Sequence, residues 1–241
     1  MADSDLILNA VKNITPLDRV WRQINRIGQV RNLIKNQDFV VKEAIIKDDT
    51  VEFDYKGKKL KFYYNSDKVK VQTLGLIKEN FIKEQYKDVS VKGKSVIDIG
   101  GTFGDTAIYF LLNGAEHVYC YDPDRDACSI ASKNMTLNGI TSGVEIFSKA
   151  MDTLAEAKGL PGLRHPVLKI DCEGCEYPLL LKNKDEDILL FDEIIIEYHY
   201  GYLDLRNRLL KLGYKVKVTK PRRAMEQAKG AAGLLHAVKC R

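Results

Sequence analysis

Residues 95–104 read SVIDIGGTFG, and residues 105–115 continue as DTAIYFLLNGA. The first segment opens with a short, apolar, β-branched run, which is typical of a buried parallel strand. The second segment spaces its apolar residues on one helical face, so the two together predict a strand, a glycine loop and a helix. Gly100 allows a sharp turn and lets a ligand approach the backbone. The spacing from Gly100 to Gly104 differs from dinucleotide and phosphate-loop fingerprints. Alone, it fits an ordinary strand-to-helix turn equally well.

The next segment resembles a second unit of the same kind. Residues 117–121, HVYCY, predict a strand, and Asp122-Pro123-Asp124 ends it. Asp122 follows the glycines by about 20 residues, where a nucleotide-binding βαβ unit carries the acid that accepts the ribose hydroxyls. The alternative is that both aspartates begin a turn and cap the following helix. We assign the cap to Asp124 and predict ribose binding for Asp122.

Length and composition indicate a soluble α/β domain with an appendage. The chain has 241 residues, of which 45% are hydrophobic and 29% charged, and this is ordinary for a globular protein. It has no apolar run of membrane-spanning length and does not begin like a signal peptide. Five cysteines, an odd number without framework spacing, suit a reducing compartment. We therefore expect a cytoplasmic protein that does not insert into membranes.

The net charge of +5 is unevenly distributed, since nine Lys or Arg but one acidic residue lie from Lys211 onward. A basic face of this kind could meet RNA or a phosphorylated sugar. The alternative is a solvated face, with Lys215 and Lys217 alternating outward on a strand. We favour the solvated face because no aromatic residues interleave the basic ones, as single-strand binding would require.

Periodicity along the chain predicts two parts. Residues 4–36 and 74–87 show helical spacing, and residues 38–65 hold three β-rich runs with a hairpin turn at residues 56–58. Residues 1–90 therefore form an N-terminal helical and β-hairpin cap, and residues 91–241 form the second domain. There, strands and helices alternate, which predicts an α/β fold with a doubly wound, mostly parallel, seven-stranded, Rossmann-like sheet. The strands expected after the first are 117–121, 143–147, 167–171, 192–198, 214–219 and 232–239, and the last two should pair as a hairpin.

In open α/β sheets, ligands bind beyond the C-terminal ends of the strands. Asp98 ends the first of these strands. The fourth strand ends in LKIDCEGCEYPLL, residues 168–180, which places Asp171, Glu173 and Glu176 within six residues. Buried ionised carboxylates need partners, so these acids are site candidates. The alternative for Glu173 and Glu176 is that they support the next helix through its dipole.

Cys172 and Cys175 in this segment have Cys-x-x-Cys spacing. A metal site would need two further ligands, and the sequence has no second pair. A thioredoxin-like pair would follow the first strand of the sheet. We therefore interpret both cysteines as structural. We also expect no metal, because the acids at 171–176 lack an obvious set of further oxygen ligands; the alternative is that Asp171, Glu173 and Glu176 hold magnesium.

His199 is the one histidine of four at the C-terminal end of a predicted strand. A histidine there, beside tyrosines, could act as a general base. A hydrogen-bonded structural histidine is an equal alternative.

Four segments together resemble a known family: VIDIGGTFGD, GAEHVYCYDPD, KNMTLNG and LKIDCEGCEY. They resemble class I S-adenosylmethionine-dependent methyltransferases, and among them the FkbM type, whose pattern is roughly DIGAN-x-G, EP and KIDVEGAE. The resemblance covers about residues 80–215. It implies that Asp98, Gly100 and Gly104 hold the methionine moiety of S-adenosylmethionine and that Asp122 holds the ribose. The adenine would lie at the loop of Met151. Gly101-Thr102 replaces Ala-Asn of the pattern, and Asp122 replaces Glu; Gly101 stays in the expected cofactor loop.

The resemblance implies a methyltransferase that moves a methyl group from S-adenosylmethionine to an oxygen, which we expect on a sugar or small-molecule hydroxyl. Because an acceptor hydroxyl must lose a proton, we predict His199 as base, Glu173 as the group that orients the acceptor, and Asp171 as a third catalytic residue. One alternative is an RNA methyltransferase, which the basic C-terminus favours although no RNA-binding module is recognisable. Another is a nucleotide-binding interaction protein without catalysis.

Overall fold

The computed structural model describes residues 44–219 and 232–240. The predicted helical segment at residues 4–36 and most of the basic residues after 219 lie outside these ranges. Among the described residues, no helix is long and apolar enough to cross a membrane.

The main sheet has seven strands in the order β6-β5-β4-β7-β8-β10-β9. The first five of these run parallel, and β10 pairs antiparallel with both β8 and β9. The predicted doubly wound, mostly parallel sheet and its final hairpin are therefore confirmed. Its strands are β4 (Ser95–Ile99), β5 (His117–Tyr121), β6 (Val144–Phe147), β7 (Val167–Ile170), β8 (Glu193–Tyr198), β9 (Tyr214–Val218) and β10 (Gly233–Lys239).

Continuous apolar strands form this sheet because both of its faces are covered. All residues of β4 and β7 are buried, as expected for central parallel strands. Two cores result, one on each face: Val96 of β4 belongs to the first, and the next residue, Ile97, belongs to the second. Successive side chains point to opposite faces of a strand, so the polar residues at the strand ends also divide between the faces.

The helices of the described residues are α1 (Asp67–Ile77), α2 (Asp105–Leu112), α3 (Arg125–Leu137), α4 (Glu176–Leu181), α5 (Asp185–Ile188) and α6 (Leu203–Lys211). A π-helical turn, Lys78–Ile82, continues α1, and a 3₁₀ helix spans Leu154–Gly159. Asp124 caps α3 by accepting from two backbone N–H groups, as predicted. The predicted helix over 74–87 is wrong in its bounds. The Ser66 side chain caps α1, which begins at Asp67, seven residues earlier, and the helical segment ends at Ile82.

A small antiparallel sheet precedes the main one, with β1 (Ala44–Lys47), β2 (Thr50–Tyr55) and β3 (Lys58–Tyr63) in that order. The hairpin turn predicted at residues 56–58 is confirmed, with Lys56 and Gly57 at positive φ. Asn134 of α3 and Asn138, which caps the C-terminal end of α3, bind the backbone of β3 through their side chains. The small sheet is therefore tied to the main domain, and its apolar face joins one of the two main cores. The division of the chain at residue 90 stays a prediction.

Candidate cofactor pocket and acidic strand-end cluster

A cavity of about 470 Å³ opens at the C-terminal ends of β4, β5 and β7. Five of the predicted site residues line it: Gly100, Asp122, Met151, Asp171 and Glu173. The other wall residues are Ile99, Thr102, Tyr121, Pro123, Ala150, Asp152, Cys172, Cys175, Pro178 and Leu179. The structure therefore brings together the glycine loop, the acid after β5 and the strand-end segment of β7, which are up to about 70 residues apart in the chain.

The glycine loop is shaped by contacts within the chain. Gly100 has φ +78, and a Cβ there would lie 1.7 Å from the backbone oxygen of Asp171. A Cβ on Gly101 would lie 2.0 Å from the Cys120 sulfur, and one on Gly104 (φ +75) would lie 2.8 Å from Met135 Cε. The sharp turn predicted at Gly100 is present, and contacts within the chain exclude a side chain at Gly100 and Gly101. At Gly104 the positive φ is the main requirement, because the methionine end can move.

Asp122 holds this loop in place. Its carboxylate accepts the Thr102 N–H at 3.0 Å through Oδ2 and the Asp124 N–H at 2.9 Å through Oδ1. Asp122 is half-buried and lines the cavity. Carboxylate oxygens carry about four lone-pair sites in total, so acceptor capacity remains for hydroxyl donors of a ligand in the cavity.

Thr102 has φ +44, which is unusual because β-branched residues rarely enter the left-handed region. Its N–H is held by Asp122. Strained residues of this kind cluster at ligand sites, where the surrounding structure enforces them. The FkbM-type pattern that the sequence resembles has Asn at this position, a residue that tolerates positive φ better.

Asp98 does not line the cavity. Its side chain is fully buried and forms an ion pair with Lys169 Nζ at 2.8 Å, and it also accepts a hydrogen bond from the Thr106 hydroxyl. Lys169 is 1% exposed and donates to the Gly100 carbonyl at 2.9 Å. Asp98 therefore contacts the glycine loop through Lys169.

Lys169 was missed by the sequence reasoning. Burial by itself would lower its pKa, but the charge of Asp98 and its other neighbours raise the pKa well above the ordinary lysine value. The lysine is therefore charged beneath the glycine loop. A lysine inside the otherwise apolar strand VLKI was the available signal, because a buried cation requires a partner.

Glu176 is a fully buried anchor. It accepts the Gly174 N–H at 2.8 Å and the His199 N–H at 3.2 Å, and it contacts His199 Nδ1 at 3.0 Å. These bonds join the loop after β7 to the end of β8. Glu176 also lies in the first turn of α4, as the helix-support alternative expected. In addition, it fixes the backbone and the ring of His199.

His199 lies among the predicted acids. Its Nε2 is 3.6 Å from Glu173 Oε2 and 3.8 Å from Asp171 Oδ1. Burial lowers its pKa, but the hydrogen bond and charge of Glu176, followed by the charges of Glu173 and Asp171, raise it above the ordinary value overall. The structure therefore unites the three predicted catalytic residues. It also makes the imidazole hold its proton more strongly than the sequence argument assumed.

Glu197 is a second candidate that the sequence reasoning did not select. It lies near the end of β8, one strand from Asp171, because Ile196 of β8 pairs with Ile170 of β7. Burial, followed by the charges of Asp171 and Glu79, raises the pKa of Glu197 to about 7. The sequence shows that Glu197 lies near a strand end, in the motif EIIIEYH. It does not show the charges that change the pKa of Glu197, because these come from other elements.

The cysteines differ from expectation in one respect. Cys172 and Cys175 form a disulfide, whereas the sequence suggested reduced thiols throughout. Of the other cysteines within the described ranges, Cys120 and Cys128 are buried and Cys240 is exposed. Over those same residues, no group of three or more His, Cys, Asp or Glu has an arrangement that could hold a metal ion.

Comparison with known proteins gives one family match and one curated relative. Residues 83–159, about a third of the chain, match the family model described as ribosomal protein L11 methyltransferase (PrmA). Uncharacterized protein 158B of Sulfolobus islandicus rod-shaped virus 1 is 29% identical over 111 residues. That alignment spans 44% of this chain and 66% of the viral protein.

Solved structures share the architecture. M. jannaschii TYW2 in complex with AdoMet has a TM-score of 0.51 at 17% identity, over 80% of this chain and 87% of TYW2. A SAM-dependent methyltransferase from Agrobacterium tumefaciens also has a TM-score of 0.51, at 11% identity, over 80% of this chain and 70% of that protein. The chain therefore has the class I S-adenosylmethionine-dependent methyltransferase fold.

Proposed function

We propose that this chain is an S-adenosylmethionine-dependent methyltransferase whose cofactor binds in the 470 Å³ cavity. One observation carries the proposal: the glycine loop after β4 and the half-buried Asp122 after β5 meet at a single cavity, at the carboxyl ends of a sheet of this fold. This is where open α/β sheets bind their ligands. The family match to a methyltransferase over residues 83–159, which include both elements, supports the same conclusion.

The residues present suit this cofactor. Asp122 would accept the ribose hydroxyls, and buried Met151 offers an apolar contact for the adenine. Gly100 lines the wall where the methionine moiety would lie, whereas Gly101 and Gly104 do not line the cavity and pack against Cys120 and Met135. Asp98 supports the glycine loop through Lys169. When bound, S-adenosylmethionine supplies an activated methyl group. The chain's own contribution is to position the acceptor and to accept its proton.

Two side chains are candidates for the base that accepts the proton of the methyl acceptor. His199 stays our proposed base, oriented by Glu176, with Glu173 and Asp171 beside its Nε2. Its raised pKa reduces the unprotonated fraction at neutral pH. Glu197, with a pKa of about 7, is therefore a second candidate, because a base is most effective when its pKa lies near the working pH.

For the acceptor, we place RNA ahead of the sugar or small-molecule hydroxyl expected from the sequence. The matched family model describes a methyltransferase of a ribosomal protein, which is neither a sugar nor RNA. Our choice of RNA therefore rests on the basic residues of this chain. Lys215 and Lys217 are exposed on β9, an edge strand of the main sheet, as both the solvated face and RNA binding require. Lys217 also forms an ion pair with Asp88 at 3.5 Å. An exposed cationic edge attracts a phosphate backbone. The FkbM-type assignment rests on the motif LKIDCEGCEY and remains part of this proposal.

Two measurements test the proposed function. Calorimetry with S-adenosylhomocysteine should show binding to the wild-type chain, and loss of all binding would remove the cofactor assignment. Incubation with methyl-labelled S-adenosylmethionine and separate RNA, protein and metabolite fractions should label RNA. Label in the metabolite fraction would restore the small-molecule acceptor. Binding without label in any fraction would instead favour the non-catalytic alternative.

A further inference from the structure

The disulfide between Cys172 and Cys175 forms part of the wall of the cavity. It closes a loop of four residues that also contains Glu173 and Gly174, directly after Asp171 at the end of β7. Its position therefore couples the oxidation state of two sulfurs to the shape of the proposed cofactor pocket.

The backbone inside this loop is unusual. Glu173 has φ +56 and Gly174 has φ +128, so two successive residues lie in the region that L side chains rarely adopt. A non-glycine residue in this region persists only where its surroundings enforce it. The cross-link between Cys172 and Cys175 is one such constraint, and the bond from the Gly174 N–H to Glu176 is another.

The loop is also connected to the proposed catalytic cluster. Cys172 Sγ lies 3.6 Å from Glu176 Oε2, and the other oxygen of that carboxylate binds the ring and backbone of His199. A free thiol at Cys172 would donate a hydrogen bond to Glu176 Oε2, in competition with the Gly174 N–H. Reduction would therefore alter a hydrogen-bond set that spans β7, the loop and β8.

We propose that Cys172 and Cys175 form a reversible redox site that sets the affinity of the cavity for its cofactor, with tight binding in the disulfide form. The proposal rests on the proposed function, because it takes the cavity to be the cofactor site. The reaction is a thiol–disulfide exchange with an external dithiol. Two electrons and two protons pass from the dithiol to the protein, the Cys172–Cys175 bond breaks, two thiols form, and the reductant becomes a disulfide.

The geometry of the loop predicts whether reduction raises or lowers the affinity for the cofactor. The disulfide form holds Glu173 and Gly174 in their positive-φ conformation and keeps both sulfurs in the cavity wall. After reduction the two sulfur atoms must separate to van der Waals distance, and the loop loses one of its constraints. A pocket that is ordered before binding gives higher affinity than one that must be ordered by the ligand. We expect reduction to weaken binding of S-adenosylhomocysteine about tenfold. This is the order of magnitude for the ligand having to order one strained residue that the disulfide had already ordered.

The other described cysteines provide internal controls. Cys120 and Cys128 are buried and Cys240 is exposed, and none of them lines the cavity. The protein is alkylated with iodoacetamide, digested and analysed by mass spectrometry. The peptide that contains residues 172–175 should carry no alkyl group in the oxidised protein and two alkyl groups after dithiothreitol. If the two thiols stay free after treatment with oxidised glutathione, no disulfide form exists and the proposal is wrong.

The decisive measurement is calorimetry with S-adenosylhomocysteine on the full-length wild-type protein, oxidised and then reduced with dithiothreitol. Equal affinities, or tighter binding after reduction, would overturn the redox site while leaving the cofactor assignment intact. Absence of binding in both states would remove the proposed function and the redox site together.

Two variants sharpen the test. A double variant, Cys172→Ala with Cys175→Ala, should bind like the reduced wild type and show no response to dithiothreitol. Cys240→Ser should keep the full response of the wild type. A response to dithiothreitol that persists in the double variant would assign the effect to another cysteine. If the double variant does not fold, the affinities of the oxidised and reduced wild type for S-adenosylhomocysteine still decide whether the redox site exists.

Discussion

Two aspartates at neighbouring strand ends have opposite environments. Asp98 of β4 is fully buried, paired with Lys169, and bound by the Thr106 hydroxyl. Asp122, directly after β5, is half-buried, binds two backbone N–H groups, and faces the cavity. Asp98 lies inside β4, level with Cys120, whereas Asp122 is two residues further along, beyond the end of β5. The same residue type thus supports the interior within the strand and lines the proposed cofactor site just after it. A shift of two residues near a strand end decides which role the carboxylate takes.

The difference has a physical basis in desolvation. A buried ion pair is costly to break, because removing one partner leaves an uncompensated charge in the interior. A carboxylate at the wall of an open cavity keeps part of its hydration, so its removal costs the fold less. Changes at the Asp98 pair should therefore act mainly on stability, and changes at Asp122 should act mainly on binding.

The largest effect is expected at the buried pair. Lys169→Met leaves Asp98 buried without its counter-ion and should lower the free energy of unfolding by about 3–5 kcal/mol. Urea denaturation followed by circular dichroism measures this. A double variant, Asp98→Leu with Lys169→Met, should recover part of the loss, because no buried charge remains. A single variant as stable as the wild type would show that Asp98 needs no partner.

The next effect concerns Gly100, which lies between the two aspartates. Gly100→Ala places a Cβ against the Asp171 carbonyl and should cost about 2–4 kcal/mol, from overpacking and positive φ combined. Gly162→Ala is the matched control, since Gly162 has φ +65 and no atom within 4 Å of its Cβ position. Thermal unfolding of both variants should show the larger loss for Gly100→Ala. Equal losses would mean that the Asp171 contact contributes nothing.

Asp122→Ala tests the aspartate that lines the cavity. The ribose hydroxyls would lose a charged acceptor worth about 1.5–3 kcal/mol, so binding of S-adenosylhomocysteine should weaken roughly tenfold or more. Asp126→Ala, an exposed acid in the first turn of α3, should leave the affinity unchanged. Calorimetry measures both. Unchanged affinity for Asp122→Ala would place the cofactor elsewhere.

His199 gives a pH-dependent test of the acidic cluster. Its pKa is raised in the folded state, and the charged or titratable groups facing it are Glu176, Glu173, Asp171 and Glu197. It therefore stabilises the fold below the unfolded histidine pKa of about 6.5, and this contribution is lost as the pH rises through the folded pKa. The unfolding free energy of the wild type should exceed that of His199→Gln by more at pH 6 than at pH 9. An unchanged difference would show that the imidazole is not coupled to these acids.

The smallest effect is expected at Thr102, whose N–H connects the loop to Asp122. Thr102→Asn replaces a β-branched residue at φ +44 by one that tolerates this conformation, and should raise stability by up to about 1 kcal/mol. Thr106→Asn is not expected to behave this way, because the Thr106 hydroxyl binds Asp98. Chemical denaturation of the two variants separates relief of strain from loss of a buried bond.

The overall fold was largely predictable. Apolar runs indicated all seven strands of the main sheet, with glycines or turn residues such as Asp122-Pro123-Asp124 at some of their ends. The Asp124 cap and the hairpin turn at Lys56-Gly57 were also located correctly. These features depend on residues within a few positions of each other, so local pattern suffices. The start of α1 was missed because Ser66 and its bond to the Val69 N–H outweigh the apolar spacing that placed the helix later.

Within the site, the sequence alone determined the strand, the glycine loop, the helix and the position of Asp122, because each follows from neighbouring residues and turn chemistry. Tertiary structure alone decided that Asp98 pairs with Lys169, and that Lys169 reaches the carbonyl of Gly100, 69 residues away. It also raised the pKa of Glu197 to about 7. Burial and the charges of groups distant in the chain decide these properties, and neither can be read from the residues adjacent to each site in the sequence.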